Sequence, residues 1–232
     1  MTLLSMVQAA SRRIGQAPPT VVIAATDETT LRLLEIAQDE GRELARFSDW
    51  RALRTEKTFT TVATETQSGS PIPTDLDAFI EDTFWNRSAR RRLIGPVSPQ
   101  KWQQWKAQST FPVTDAFTLR GALWLMQPVP AAGQTIAYEY RSKNWCQSSG
   151  GTGQSAWAVD TDTGILDERL MTLGIVWRYK QARGLDWQTD YDKYMFQMQT
   201  ALDKDKPRKT ISFTGDGGEC YGVNVPDGSW SI

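Results

Sequence analysis

Strong helical stripes stand at the two ends of this chain, and a β-branched, turn-rich stretch lies between them. That order limits the possible folds more than any other feature. In MTLLSMVQAASRRIG, the apolar positions Leu3, Met6, Val7, Ala10 and Ile14 fall at helical spacing. Gly15 and the Pro18-Pro19 pair then stop the helix. A second helix is expected after Asp27, a good N-cap, with Glu28 favoured by the positive end of the helix dipole. Leu33, Ile36, Ala37, Leu44 and Phe47 share one face of it, while EIAQDEGRELAR charges the other. Near the far end, Leu166, Leu170, Leu173 and Trp177 form an apolar stripe closed by Lys180, Arg183 and a C-capping Gly184. A last helix carries Tyr191, Tyr194, Met195, Met198 and Leu202 on its inner face. Two amphipathic pairs need partners for their apolar faces, and the nearest partners are each other. The expected fold is therefore α+β: a helical bundle built from the N- and C-terminal helices (1–53 and 160–206), with an inserted β-rich region at 54–159.

Within the insertion, TFTTVATET reads as strand and ends in the turn-forming QSGSPIP. A short helix is expected from Asp75 to Phe84. Ser98-Pro99 marks another helix start, an N-cap serine followed by proline at the first helical position. On that helix Trp102 and Trp105 share a face. FTLRGALWLM and QTIAYEYRS read as strands, with Gly121 permitting a tight turn. In the second of these, Ile136, Tyr138 and Tyr140 point one way and Ala137 and Glu139 the other. CQSSGGTGQSA reads as a flexible loop. The 207–232 tail is glycine-rich with few apolar anchors, and is expected to be mobile or to order only against a neighbour.

Composition removes several kinds of chemistry. The 232 residues include no histidine, which excludes serine–histidine and cysteine–histidine nucleophiles and the usual histidine-containing zinc sites. Cys146 and Cys220 match no metal spacing and read as free thiols of an intracellular protein. No signal core opens the chain, and no apolar run nears the roughly 18 residues of a membrane span, so a soluble protein made in a cytoplasm is expected. SSGGTGQS lacks the lysine of a phosphate loop and reads as plain loop. Asp160 and Asp162 could suggest a carboxylate pair or a cation loop, but further oxygen ligands at the required spacing are missing. They read more simply as helix N-cap and first-turn acids. Glu81 and Asp82 read as solvated residues on a helix face, and Tyr138 and Tyr140 as core or interface. No catalytic, cofactor-binding or metal-binding residue is expected.

One run stands out. FWNRSARRRLIGPVSPQKWQQW, residues 84–105, holds four arginines and three tryptophans. Three readings of Arg90, Arg91 and Arg92 are open: a solvated surface, an assembly contact with the acidic DEGRE helix of a neighbouring copy, or a nucleic-acid contact. A formal net charge of -1 weighs against a protein that lives by gripping nucleic acid.

Taken in order, MTLLSMVQAASRRIGQAPPTVV, LLEIAQDEGRELARFSDW, TFTT, DTFWNRSARRR, GPVSPQKWQQWKA, FTLRGALWLM, YEYRSKNW and DTDTGILDERLMTLGIVWRYKQARGLDW resemble a widespread family of tailed-phage and prophage proteins. That family is similar to the head-to-tail adaptors of short-tailed phages, and the resemblance runs over about residues 1–205. It implies a non-catalytic virion protein at the head–tail junction, made in the bacterial host and without a membrane partner. Such a protein forms a homo-oligomeric ring, commonly a dodecamer, beneath the portal protein. It extends the DNA channel toward the next tail or nozzle protein and touches packaged double-stranded DNA only transiently. Candidate contacts are Arg90, Arg91, Arg92, Trp102 and Trp105, with the tail from Lys209 as a docking strand. A DNA-binding packaging factor, or more distantly a carboxylate-based tail-associated hydrolase, are the alternative readings.

Overall fold

The computed structural model describes residues 1–108 and 115–205; Lys209, Cys220 and the 207–232 tail lie outside the described residues. Helix α1 (Leu3–Arg13) starts on Thr2, whose hydroxyl accepts the Ser5 N–H at 3.3 Å. Helix α2 (Glu28–Phe47) starts on Asp27, which accepts the Thr30 N–H at 2.8 Å. Helix α3 (Pro99–Gln108) follows Ser98, and α4 (Glu168–Ala182) is capped by Asp167. Gly184 then turns the chain at φ +67° into α5 (Gln188–Asp205). Local signals in the sequence set these ends.

Helices from both ends of the chain share one apolar core. Within it α4 packs against α1, α2 and α5. Residues Leu170 to Trp177 are consequently all buried, well beyond the single stripe that its spacing suggests. The middle of the chain also feeds this core, through Trp145, Cys146 and Trp157. Trp145 lies directly over Gly41 of α2: a Cβ there would sit 2.3 Å from the indole Cζ3. Only glycine leaves room for that ring.

The β-rich part packs around a second, aromatic core. Its strands are β1 (Arg54–Thr60), β2 (Thr66–Gln67), β3 (Leu76–Phe79), β4 (Trp85–Asn86), β5 (Arg91–Arg92), β6 (Ala116–Arg120), β7 (Leu123–Gln127) and β8 (Thr135–Ser142). One sheet runs β1-β8-β4-β5 with β3 also paired to β8, and a second runs β2-β7-β6. Strand β8 pairs antiparallel with the whole of β1, from Arg54 opposite Arg141 to Thr60 opposite Thr135. Ile136, Tyr138 and Tyr140 enter the core, as the alternation indicates, and Glu139 stays exposed. There Phe117 stacks on Trp124 at 4.2 Å between ring centroids, and Trp124 stacks on Tyr138 at 5.3 Å. Gly121, at φ +60°, makes the turn between β6 and β7. A third small sheet, β10-β9-β11, joins β9 (Cys146–Gln147), β10 (Gly153–Gln154) and β11 (Thr163–Gly164) beneath the helices. The fold is thus mixed α+β.

Three expectations change. The helix expected from Asp75 to Phe84 is instead β3, a turn and the lead into β4. Leu76 and Phe79 pair with β8, and the Asp75 carboxylate accepts hydrogen bonds from Tyr140 Oη (3.0 Å) and Ser142 Oγ (2.6 Å), so distant partners outweigh local helical spacing. Glu81 and Asp82 therefore occupy a turn, with Asp82 at φ +63°. CQSSGGTGQSA is largely a short hairpin, β9 to β10, turned by Gly151 at φ +83° and anchored by buried Cys146. The side chains of Asp160 and Asp162 cap no helix, although their backbone carbonyls accept the Leu4 and Leu3 N–H groups at the start of α1. Asp160 accepts the N–H groups of Val22 (3.0 Å) and Ile23 (2.8 Å), and Asp162 accepts those of Ala158 (2.7 Å) and Val159 (2.9 Å). Both carboxylates hold loops against the helical core.

Candidate assembly surface

The basic and aromatic run splits between interior and surface. Phe84 enters the aromatic core, whereas the neighbouring Trp85 is 43% exposed. The turn from β4 to β5 is organised by Asn86, a fully buried amide that composition alone did not single out. Its Nδ2 donates to Asp115 Oδ2 (3.1 Å) and Gln134 Oε1 (2.9 Å), and its Oδ1 accepts the Ala89 N–H (3.0 Å). Arg90 closes the turn at φ +54°, exposed and left-handed.

The three arginines differ in what faces them. Arg91 reaches Asp115 at 3.4 Å, and Arg92 pairs with Asp82 across the hairpin. Upstream, Arg87 pairs with Glu56 on β1. Arg90 faces open solvent in a shallow groove shared with Trp85, Glu56 and Glu139. The Arg87 and Arg92 pairs are exposed and add little stability, whereas the Asp115 that Arg91 reaches is buried.

Trp102 and Trp105 do share a face of α3, with centroids 6.4 Å apart. They are not equivalent. Trp102 is 1% exposed and packs within this chain against Val97, Ala116 and Leu125, so its ring fixes α3 on the β6–β7 hairpin. Trp105 is half-buried on its outer side, and Lys101 Nζ sits 5.3 Å from its ring centroid. A partner can reach Trp105 directly and Trp102 only through the helix it holds.

The DEGRE helix, expected to offer acids to a neighbour, has already spent two of them internally. Glu40 is fully buried. Its Oε2 accepts from Arg178 Nε at 2.6 Å and its Oε1 from Tyr194 Oη at 2.8 Å, which ties α2 to α4 and α5. Arg178 also donates to Glu43 Oε2 at 2.7 Å. Burial pushes the Glu40 carboxyl above its ordinary value of 4.5 despite the Arg178 charge beside it. The same burial, with Glu40 next to it, pushes the Tyr194 phenol upward. The sequence did carry a signal: Glu40 lies three residues after Ala37 and four before Leu44, on the apolar face.

On α5, Phe196 is 75% exposed and Met195 more than a third exposed, and Leu185, just before the helix, is half exposed. Of the residues expected on its inner face, Tyr194 and Met198 are buried, whereas Met195 is exposed. Phe196 borders a groove with Arg13, Arg169, Leu173 and Lys193.

Among the described residues, no group of three or more acidic or cysteine side chains is placed to hold a metal ion. No helix among them is long and apolar enough to cross a membrane. These features describe an α+β protein whose most distinctive surface residues are arginines and aromatics. The family model for the SU10 adaptor protein matches residues 1–212, and the chain belongs to that family of structural phage proteins. No curated protein matches the chain.

Proposed function

We propose that this protein is a head-to-tail adaptor that assembles as a ring on the portal vertex of a phage particle. The match to the SU10 adaptor protein family over residues 1–212 carries the reading. In this proposal the helical part (1–53 and 160–206) packs side by side around the ring and meets the portal protein. The 54–159 insertion projects toward the next tail or nozzle protein, and the ring extends the channel for double-stranded DNA. Twelve copies would match a dodecameric portal.

The surface supports this division of labour. Arg90, Arg91, Arg92 and Trp105 present charge and aromatic area on the surface of the β-rich part, the residue types that anchor protein interfaces. Trp102 contributes by holding α3, and Lys209 begins the proposed docking strand. A near-neutral chain also suits a channel through which DNA must slide, since each phosphate contact adds affinity.

Electron microscopy of the protein mixed with its portal tests the proposal. The expected image is a closed ring seated on one face of the portal. Portal particles whose underside stays bare at saturating protein would refute it.

A further inference from the structure

Between α2 and the loop that follows β8 lies a cleft of about 240 Å³, lined by Arg42, Arg46, Lys143, Trp145, Ser155 and Asp77 among others. Arg42 and Arg46 are one turn apart on α2, so both guanidinium groups rise from the same side of the helix. Lys143 Nζ donates once, to the Thr74 carbonyl at 2.8 Å, and keeps two donors unused. The Trp145 indole N–H is buried and meets no acceptor among the described residues, and the Ser155 hydroxyl is exposed.

Acceptors are scarce there. Asp77, the one acid lining the cleft, is held through Oδ2 by Arg141 Nε (2.8 Å) and Nη2 (2.7 Å). Asp39 reaches Arg42 only at 3.3 Å in an exposed pair, which binds weakly. Three cations and the exposed Ser155 hydroxyl thus line a concave space whose single carboxylate is already neutralised. A carboxylate ligand has two oxygens to offer them; a phosphate group has three or four, and more charge. We propose that this cleft binds a phosphate group, with Arg42, Arg46 and Lys143 as the cationic wall.

The site does not depend on the adaptor reading, because its test uses the free full-length chain. Isothermal titration is run with two probes, inorganic phosphate and a short DNA duplex, at low salt. Arg46→Ala with Lys143→Ala is compared with Arg12→Ala, an exposed arginine on α1 away from the cleft. All three side chains are exposed, and circular dichroism confirms that each variant is folded. The proposal expects binding that weakens with salt and falls at least about tenfold in the double variant alone. Binding to both probes identifies the free anion as sufficient, and binding to the duplex alone identifies the nucleic-acid backbone as its source. No heat with either probe overturns the proposal, as does an equal loss in Arg12→Ala.

Discussion

Gly174 faces Glu40 so closely that a Cβ there would sit 2.1 Å from the carboxylate carbon. Alanine would gain up to about 1 kcal/mol in helix propensity at this position. The carboxylate cannot step aside, because Arg178 and Tyr194 hold its two oxygens. Crowding wins: Gly174→Ala is expected to destabilise the protein by about 1–3 kcal/mol in denaturant titration. Glu40 makes a second prediction. Its carboxyl binds the proton more tightly in the folded chain than in the unfolded one. The stability that this adds is complete below the ordinary value and is lost as pH climbs through the folded pKa. The stability advantage of wild type over Glu40→Gln should therefore shrink as pH rises from 4.5 toward neutrality. A difference that stays level, measured by denaturant midpoints across that range, contradicts the assignment.

Helix α4 shows how far element-level patterns can be read. Its ends follow from Asp167 and Gly184, and its stripe from Leu166 to Trp177 was legible in the spacing. That the opposite side is buried too was not legible, because α1, α2 and α5 are contributed by segments far away in the chain. Strand β3 failed for the same reason: Leu76 opposite Ser142 is a pairing that no local window contains. The Glu40–Arg178 contact spans 138 positions, so the acidic DEGRE segment looked free when two of its three acids were committed. Of the interface candidates, the sequence located the basic hairpin but could not separate open Arg90 from paired Arg92, or buried Trp102 from accessible Trp105. Leu170, 1% exposed on α4, offers the element-scale test. Leu170→Ala should cost about 2–5 kcal/mol, whereas Leu185→Ala, half exposed past the helix end, should stay within about 0.5 kcal/mol. Comparable losses would mean that α4 is not the centre of the helical core.

At the scale of the whole molecule, Phe196 sets a proposed interface apart from the fold. A phenylalanine 75% exposed on α5 contributes little to the free chain's stability. If α5 meets a neighbour in the ring, Phe196→Ser should leave thermal unfolding of the free protein unchanged and yet lower ring occupancy on the portal. Particle counts from micrographs of wild type and variant measure this directly. Unchanged occupancy would move the contact away from α5.

The central position of α4 also sets a timetable. During synthesis α1 and α2 leave the ribosome more than a hundred residues ahead of the helix on which both rest. Until α4 emerges, Leu3, Met6, Leu33 and Leu44 lack its cover, and the barrier to closing so long a loop must be crossed before it is gained. The nascent chain therefore carries an adhesive pair of helices until α4 has been made. A message cut short within the insertion would yield sticky, unfinished chains, and competent ones appear only once α4 has been made.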